Sequence, residues 1–560
     1  MPERRANIGR SKATAALLLT VVLVAAACGG SSGNSSGGGS TSGGAGKPVY
    51  GGSVTYGIEA DPSGGTGGFC LITAQLAISG ILVARMFYDT LTVPNADGGY
   101  SPWLAESVTP NATYDSWAIK LRPGIKFSDG TALDATVLKN NLDAYRGTYN
   151  TPNHPLLFAI VFSNVKDVSV TDPLTVTVTT KTPWPAFPAY LWGSGRVGIM
   201  GQAQLDSGSN CGQDLVGTGP FKYQQGSYIQ GSQIVGNRNP NYWYHDPVTH
   251  AKLPYLDKLT LKVTLETSQV INGLQSGDLD IAHTSDGKGI QQLRTMAKSG
   301  SVNEMESDKY GEVAYAMLNT KIAPFNDVNA RLAVAYGTDR QTIIAQTQAN
   351  VPKVADGPFT KGNVGYLADS GFASYNLTKA KEYLAKYKQD TGKDLTFDLV
   401  ATNDSSTLSI AQAVQDQASK LGVKVNIQQI EQGGEINAAL GGKFQGILWR
   451  NHPGGDPDTQ YIWWHSGQPT NFSGINDPVI DKDLDDGRIN TDPAKRQADY
   501  EDLNRRFASQ AYNIWTWWTL WTIGSSTKIH GILGPNLPDG KKPSPGLATG
   551  HFLGGMWKDK

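Results

Sequence analysis

The sequence contains only three cysteines, Cys28, Cys70 and Cys211, among 560 residues. No two of them form a CxxC pair, and no cysteine–histidine spacing matches a zinc site. The sequence also lacks GxSxG, HExxH and P-loop motifs, which mark hydrolases, metalloproteases and nucleotide-binding enzymes. We therefore expect no catalytic constellation, no cofactor and no metal.

The chain has no excess of charge of either sign. It carries 48 basic and 49 acidic residues, a formal net charge of −1. A nucleic-acid-binding protein needs a basic patch to neutralise phosphates, and no basic run of that kind is present. The charge balance therefore argues against a nucleic-acid partner.

The sequence begins with an apolar run that is too short for a membrane span. Residues 13–27 form a run of 15 apolar or small residues after a basic start. A transmembrane helix needs about 20 apolar residues, whereas a secretory signal peptide combines a basic start, a short apolar run and small residues before the cut. We predict a signal peptide over 1–27; the alternative is a buried N-terminal helix.

The residues after the predicted cut suggest a tethered protein. The sequence AAAC, ending at Cys28, resembles a bacterial lipoprotein signal site, which implies a lipidated cysteine and anchoring to the outer face of a membrane. Residues 29–47 are almost entirely glycine and serine and are typical of flexible coil. We therefore predict a lipid-anchored tether over 28–47.

The other two cysteines have two possible states. An exported protein with Cys70 and Cys211 allows either a disulfide or two buried thiols. We favour the disulfide, which requires the two Cα atoms to lie within about 7 Å of each other.

Hydrophobic periodicity predicts an α/β protein. Residues 51–58 alternate as a strand, and residues 134–145 read as a helix capped by Asp134. Residues 259–281 and 395–430 each read as strand, helix and strand, which predicts parallel pairing with right-handed crossovers. About 510 residues after the tether exceed what one core supports, so more than one lobe is expected.

Five segments together carry a resemblance to a known family. They are LRPGIKFSDGTALDATVLKNNLDAY (121–145), GTGPF (217–221), RNPNYW (238–243), SGDLDIA (276–282) and DPAKRQADYEDLNRRF (492–507). In order and spacing they resemble family 5 extracellular solute-binding proteins of bacterial ABC importers, which include dipeptide- and oligopeptide-binding proteins. The resemblance extends over roughly residues 51–531.

The resemblance implies a periplasmic-binding-protein-like type II fold. Lobe I would comprise 48–93, 209–312 and 514–560, an extra domain 94–208, and lobe II 313–513. A monomer of this kind captures a small solute, by default a peptide, between its lobes and delivers it to an ABC permease. The alternatives are the same role for oligosaccharides or another polar solute, a secreted hydrolase, and a lipoprotein sensor without transport.

The candidate ligand-binding residues lie in an aromatic-rich region between Trp449 and Trp521. Trp515 and Trp517 would share one face of a strand, leaving Trp518 on the other face to line a cleft. In peptide-binding relatives, an aspartate three residues after the tryptophan at 449 pairs with the ligand's α-amino group; this sequence has His452 there. The predicted ligand-binding residues are Trp449, Asn451, His452, Asp456, Trp464 and Trp518.

Two further patterns are interpreted as structural. Asp481, Asp483 and Asp485 have the spacing of a calcium loop, but the turn glycine is missing, so we expect a solvated helix. His245 and His250 lack a third ligand and indicate a surface turn.

Overall fold

The computed structural model describes residues 47–63, 68–74, 76–155, 157–450 and 455–560, without the side chains of residues 432 and 433. The predicted signal peptide (1–27), Cys28 and the predicted tether up to residue 46 lie outside the described residues. So do Asn451 and His452. In the part that is described, no helix has the length and apolar character needed to cross a membrane.

The strands are named here in chain order. The first eleven are β1 (Ser53–Ile58), β2 (Thr92–Pro94), β3 (Tyr100–Pro102), β4 (Ala105–Pro110), β5 (Ser116–Leu121), β6 (Val165–Asp172), β7 (Thr175–Thr180), β8 (Phe221–Tyr223), β9 (Gln233–Arg238), β10 (Lys258–Val263) and β11 (Ile281–Thr284). The others are β12 (Val302–Ser307), β13 (Val313–Leu318), β14 (Lys353–Val354), β15 (Thr396–Thr402), β16 (Lys424–Ile430), β17 (Gly446–Arg450), β18 (Asn513–Trp518), β19 (Trp521–Ser526), β20 (Ile529–His530) and β21 (Trp557–Lys558).

The α-helices are likewise named in chain order. They are α1 (Ile78–Phe87), α2 (Ala135–Tyr145), α3 (Leu157–Val161), α4 (Phe187–Trp192), α5 (Gln202–Leu205), α6 (Thr267–Ser276), α7 (Gly287–Lys298), α8 (Val328–Gly337), α9 (Arg340–Thr347), α10 (Leu377–Thr391), α11 (Ser405–Ser419), α12 (Gln432–Leu440), α13 (Tyr461–Trp464), α14 (Pro478–Ile489) and α15 (Pro493–Gln510).

The first sheet has seven strands in the order β12-β19-β11-β1-β10-β9-β8. Strand β1 lies parallel to both β10 and β11, and β10 pairs antiparallel with β9. Val54, Tyr56 and Ile58 alternate along β1 and are fully buried, as their period of two predicts. Burial on this face anchors the strand in a large apolar core shared with α1.

The second sheet has six strands in the order β14-β18-β13-β17-β15-β16. Strand β15 is parallel to β16 and to β17, so the predicted strand–helix–strand unit over 395–430 is confirmed. Helix α11 connects β15 to β16 and ends near Gly422, whose φ of +76° suits a residue without a side chain. Helices α8 and α9 follow each other closely and are separated by Thr338 and Asp339.

A smaller antiparallel sheet lies within residues 94–208. Its four strands have the order β4-β5-β7-β6. Helix α2 packs beside β6 and β7 and begins at Asp134, whose carboxylate accepts a hydrogen bond of 2.9 Å from the Val137 amide. The predicted N-cap is therefore confirmed.

The chain crosses between the two large sheets twice. It leaves the first sheet after β12 and enters the second at β13, and it returns between β18 and β19. The Thr519 amide donates a 2.8 Å hydrogen bond to the Glu312 carbonyl, which joins the two crossing segments. The boundary predicted between residues 513 and 514 falls inside β18, and the return crossing follows Trp518 instead.

The predicted disulfide between Cys70 and Cys211 is confirmed. The two Cα atoms are 5.0 Å apart, and the bond links residues 141 positions apart in the chain. Both cysteines are buried. The bond ties the segment before α1 to the segment that leads into β8.

Candidate ligand-binding site

Polar side chains follow the carboxyl ends of parallel strands in both sheets. Glu59 follows β1 and Ser285 follows β11 in the first sheet. In the second sheet, Asp404 follows β15, Glu435 lies on the helix after β16, and Arg450 ends β17. Carboxyl ends of parallel strands are where open α/β sheets bind ligands. We call these five residues the strand-end cluster.

Arg450 joins the two sheets. Its Nη2 donates to Glu59 Oε1 at 3.2 Å, and its Nη1 donates to Ser285 Oγ at 2.9 Å. Nη1 also lies 3.8 Å from Glu312 Oε2. Since Arg450 belongs to the second sheet and both hydrogen-bond acceptors to the first, these contacts hold the two sheets in one closed arrangement.

Glu312 is a buried carboxylate at the first crossing segment. Its side chain is 3% exposed, and Oε2 accepts a 3.1 Å hydrogen bond from Trp521 Nε1 at the return crossing. Burial raises the pKa of Glu312, and the positive charge of Arg450 acts in the opposite direction. A buried carboxyl group therefore lies between the two segments that connect the sheets, beside the cleft between the two lobes.

Glu435 is half-buried. Burial raises its pKa to about 7, against the attraction of Arg450 and with the help of repulsion from Asp404. A carboxyl group with this pKa changes its charge within the physiological pH range. The local charge of the strand-end cluster therefore depends on pH.

A second set of hydrogen bonds joins the two sheets beside the strand-end cluster. Ser405 Oγ donates to Glu266 Oε2 at 3.2 Å, and the Gly287 amide donates to Gln348 Oε1 at 2.9 Å. A Cβ at Gly287 would lie 2.1 Å from the Gln348 carbonyl oxygen, so only glycine fits this approach.

The two aspartates of the DPD segment, 456–458, are engaged within the protein. Asp456 forms a bidentate pair with Arg496. Asp458 is fully buried and accepts hydrogen bonds from Trp184 Nε1 at 2.7 Å and Arg488 Nε at 2.8 Å. Asp456 therefore already has a cationic partner, and we do not retain it as the partner of a ligand amino group.

Trp464 belongs to the core beneath the second sheet, whereas Trp449 lies partly buried against that core. Trp464 is 2% exposed and packs 4.7 Å from the Phe507 ring centroid, so its rings have no face left for a ligand. Trp449 is half-buried and lies edge-on to Phe472 at 6.1 Å. We drop Trp464 from the proposed site and keep Trp449, which directly precedes Arg450.

The predicted alternation of the tryptophans in β18 is wrong. The register against β13 shifts between Ala314 and Tyr315, which face Trp517 and Trp515. This bulge puts Trp515 in the large core of the second sheet and Trp517 in a separate small cluster. Trp518 is half-buried, 5.9 Å from Tyr366, and stays in the proposed site.

Sequence reasoning missed the strand-end cluster. None of its residues belongs to a recognisable motif, and each is an ordinary polar residue after a strand. The available signal was positional: the predicted parallel strands end just before them. Among the residues with described positions, no group of three histidine, cysteine, aspartate or glutamate side chains is arranged to hold a metal ion.

The structure has two lobes, each built on a mixed sheet with helices, and two crossing segments join them. Charged residues at the strand ends of the two sheets face each other. This arrangement defines a two-lobed solute-binding protein. Residues 99–473 match the sequence model of the bacterial extracellular solute-binding proteins, family 5. The chain belongs to this family and is a solute-binding component of an ABC importer, not an enzyme.

Sequence relatives agree with this assignment. The glutathione-binding protein GsiB of Pectobacterium atrosepticum is 26% identical over 464 residues, 80% of this chain and 86% of the relative. The probable D,D-dipeptide-binding periplasmic protein DdpA of Escherichia coli is 25% identical over 443 residues, 77% and 81% of the two chains.

Two solved structures share the fold. AgaA from A. tumefaciens R10, in complex with agropinic acid, has a TM-score of 0.77 at 24% identity and covers 91% of this chain and 99% of its own. The oligopeptide-binding protein AppA from Bacillus subtilis, in complex with a nonapeptide, has a TM-score of 0.75 at 21% identity, with coverages of 92% and 100%. The predicted type II periplasmic-binding-protein-like fold is therefore confirmed.

Proposed function

We propose that this protein captures peptides in the cleft between its lobes and delivers them to an ABC permease for uptake. The observation that carries the proposal is Arg450, which reaches from the second lobe to Glu59 and Ser285 of the first. A bridge of this kind belongs to a closed state, and hinge closure around a ligand is how two-lobed receptors work.

The charges of the cleft favour a charged ligand over a neutral one. Arg450 and four carboxylates, those of Glu59, Glu312, Asp404 and Glu435, surround the cleft. The acidic side chains outnumber the arginine, and the positively charged amino terminus of a peptide can balance that excess, whereas a neutral oligosaccharide cannot. Peptides therefore rank above oligosaccharides, which remain the competing ligand class.

Native mass spectrometry of the purified protein is the first test of this proposal. The second test is a titration with a tripeptide mixture and, separately, with cello-oligosaccharides. We expect binding of peptides near micromolar affinity and no binding of the sugars. Peptides with acetylated amino termini form a third arm. Equal binding of free and acetylated peptides supports a role for His452 in place of the family's aspartate, and a strict need for the free amine contradicts it.

We propose the following division of the chain. Lobe I comprises 48–93, 209–312 and the segment after residue 518, the extra domain comprises 94–208, and lobe II comprises 313–518. We also propose that the protein acts as a monomer, which light scattering during gel filtration measures directly.

We propose that Cys28 is lipidated and anchors the protein to the outer face of the cell membrane. Replacement Cys28→Ser removes the acylated thiol, so the protein is expected in the soluble exported fraction. Recovery of Cys28→Ser protein in the membrane fraction at the wild-type level would contradict the anchor.

A further inference from the structure

The chain enters the first sheet beside a short hairpin. This hairpin comprises residues 245–252, which we call the entry hairpin, and an antiparallel bridge between His245 and Lys252 closes it. Tyr50 Oη donates a 2.6 Å hydrogen bond to the Lys252 carbonyl, and the centroid of the Tyr50 ring lies 5.4 Å from that of Tyr255. The start of the described chain is therefore fixed against the entry hairpin, at the point where the predicted tether joins the body.

Asp246 fixes the tip of the entry hairpin. Its Oδ1 accepts hydrogen bonds from the amides of Val248 and Thr249 at 2.8 and 2.9 Å, and its Oδ2 accepts one of 3.0 Å from Tyr255 Oη. Asp246 is buried, whereas Val248 is 78% exposed, and no other large hydrophobic side chain among the described residues is as exposed. A well-ordered turn thus holds an apolar side chain out in solvent.

The surroundings of Val248 are typical of a membrane interface. The Tyr50 ring is 47% exposed, and the Arg238 guanidinium carbon lies 4.9 Å from its centroid. The basic residues within 47–50 and 238–258 are Lys47, Arg238, Lys252 and Lys258, and the three lysines are exposed. The acidic residues of the same segments are the buried Asp246 and Asp257, which pairs with Arg238. An apolar tip, an aromatic ring and an excess of basic residues are the combination that contacts anionic lipid headgroups.

The entry hairpin and the ligand cleft lie at opposite ends of the first sheet. Ser53 at the start of β1 pairs with Lys258 at the start of β10, and the two strands are parallel. Glu59 of the strand-end cluster follows the other end of β1, and a strand of this length spans about 20 Å. A membrane surface in contact with the entry hairpin therefore leaves the cleft on the side of the sheet that faces the medium.

We propose that the entry hairpin binds anionic lipid headgroups of the membrane that carries the anchor, so that the receptor presents its cleft to the medium. The inference rests on the proposed anchor at Cys28. A segment with the glycine- and serine-rich composition of residues 28–46 has a root-mean-square reach of about 25 Å. The anchor therefore keeps the hairpin near the lipids, and a contact that is weak between separate partners is populated when the two are linked.

The test follows a fluorescent label at Val248→Cys in the Cys28→Ser protein, whose two remaining native cysteines are paired. The titrants are vesicles of phosphatidylglycerol and phosphatidylcholine in equal parts and vesicles of phosphatidylcholine alone. We expect the anionic vesicles to shift the emission of the label to the blue, and spin-labelled lipid to quench it. Leu265→Cys, just beyond the other end of β10 and 68% exposed, is the matched control and should keep its emission in buffer.

Charge variants measure the contribution of the headgroups. A cation near an anionic lipid surface strengthens binding about fivefold. Added to the labelled chain, Lys252→Gln is therefore expected to raise the lipid concentration at half-maximal shift by about that factor. Lys381→Gln, at an exposed lysine of α10 between β14 and β15, is the matched control and keeps the starting value.

The outcomes separate this inference from the earlier proposals. An unchanged emission at position 248 overturns it, and so does an equal shift at position 265, an equal shift with phosphatidylcholine alone, or an unchanged value for Lys252→Gln. If the label responds as expected but no ligand binds in the cleft, the headgroup contact stands and solute capture falls. If the label responds but the mass of the wild-type protein shows no acyl chains, the headgroup contact stands and the anchor falls.

Discussion

Arg450→Met gives the sharpest test of the closed arrangement. The substitution keeps most of the aliphatic stem and removes the hydrogen bonds to Glu59 and Ser285. The side chains of Arg450 and Glu59 are 39% and 28% exposed, so solvent screens their attraction. We estimate the two contacts together at about 1–2 kcal/mol of the free energy that separates the closed from the open form. Since 1.4 kcal/mol corresponds to tenfold, the closed population falls about fivefold to thirtyfold relative to the open one.

The apparent dissociation constant is expected to rise by up to the same factor, because it varies inversely with the closed fraction. Calorimetry with the ligand found by mass spectrometry measures this rise. Small-angle scattering of the ligand-free variant should show a larger radius of gyration. Arg294→Met is the control, because the Arg294–Glu306 pair has nearly the same exposure, 38% and 26%, but lies within one lobe. An affinity of Arg450→Met within twofold of the wild type, with unchanged scattering, would show that Arg450 does not hold the two lobes in the closed arrangement. A loss of more than about a thousandfold would show that Arg450 contacts the ligand itself.

Three further predictions concern stability and pH. Asp458→Ala removes the partner of buried Arg488 and should lower the free energy of unfolding in urea by about 3–5 kcal/mol. Adding Arg488→Met to the same chain should recover part of this loss. If Asp458→Ala lowers the free energy of unfolding by less than about 1 kcal/mol, the result contradicts the pairing. Reduction of the Cys70–Cys211 bond, or replacement of both cysteines by serine, should cost about 2–5 kcal/mol, because the bond closes a loop of 141 positions; equal unfolding midpoints with and without reductant would disprove this. Because burial raises the pKa of Glu435 to about 7, its carboxyl holds a proton in the folded state that the unfolded chain releases at lower pH; the stability of the ligand-free protein should therefore fall as pH rises from about 4.5 to 7, and Glu435→Gln should weaken that fall. Identical pH profiles for wild type and Glu435→Gln would remove Glu435 from the titrating groups.

Much of the fold was predictable because local signals and tertiary structure agree. The alternation in β1, the cap at Asp134 and the strand–helix–strand unit over 395–430 each follow from a period or a turn residue. The pairing of two cysteines followed from their number in an exported chain. In these segments the sequence near each residue determines its structure.

The cleft was harder to predict because its side chains come from distant parts of the chain and are brought together only by the tertiary fold. Glu59 and Arg450 are far apart in the chain, and only the crossing of the lobes brings them together. The bulge in β18 shows the same limit, since its cause is the pairing with β13 rather than the local order of tryptophans. Asp456 was predicted to bind the ligand, but its pairing with Arg496 on the distant helix α15 engages it within the protein.

The position of β19 has a consequence for export. This strand comes from the end of the chain, yet it lies between β11 and β12, which are made more than two hundred residues earlier. While the chain emerges from a membrane channel amino terminus first, the first sheet has an unfilled gap between two finished strands. Lobe II, whose strands are contiguous from β13 to β18, can complete its own sheet before that gap is filled. A truncation just before β19 should therefore leave an exposed strand edge in lobe I and make this lobe a target for chaperones and proteases.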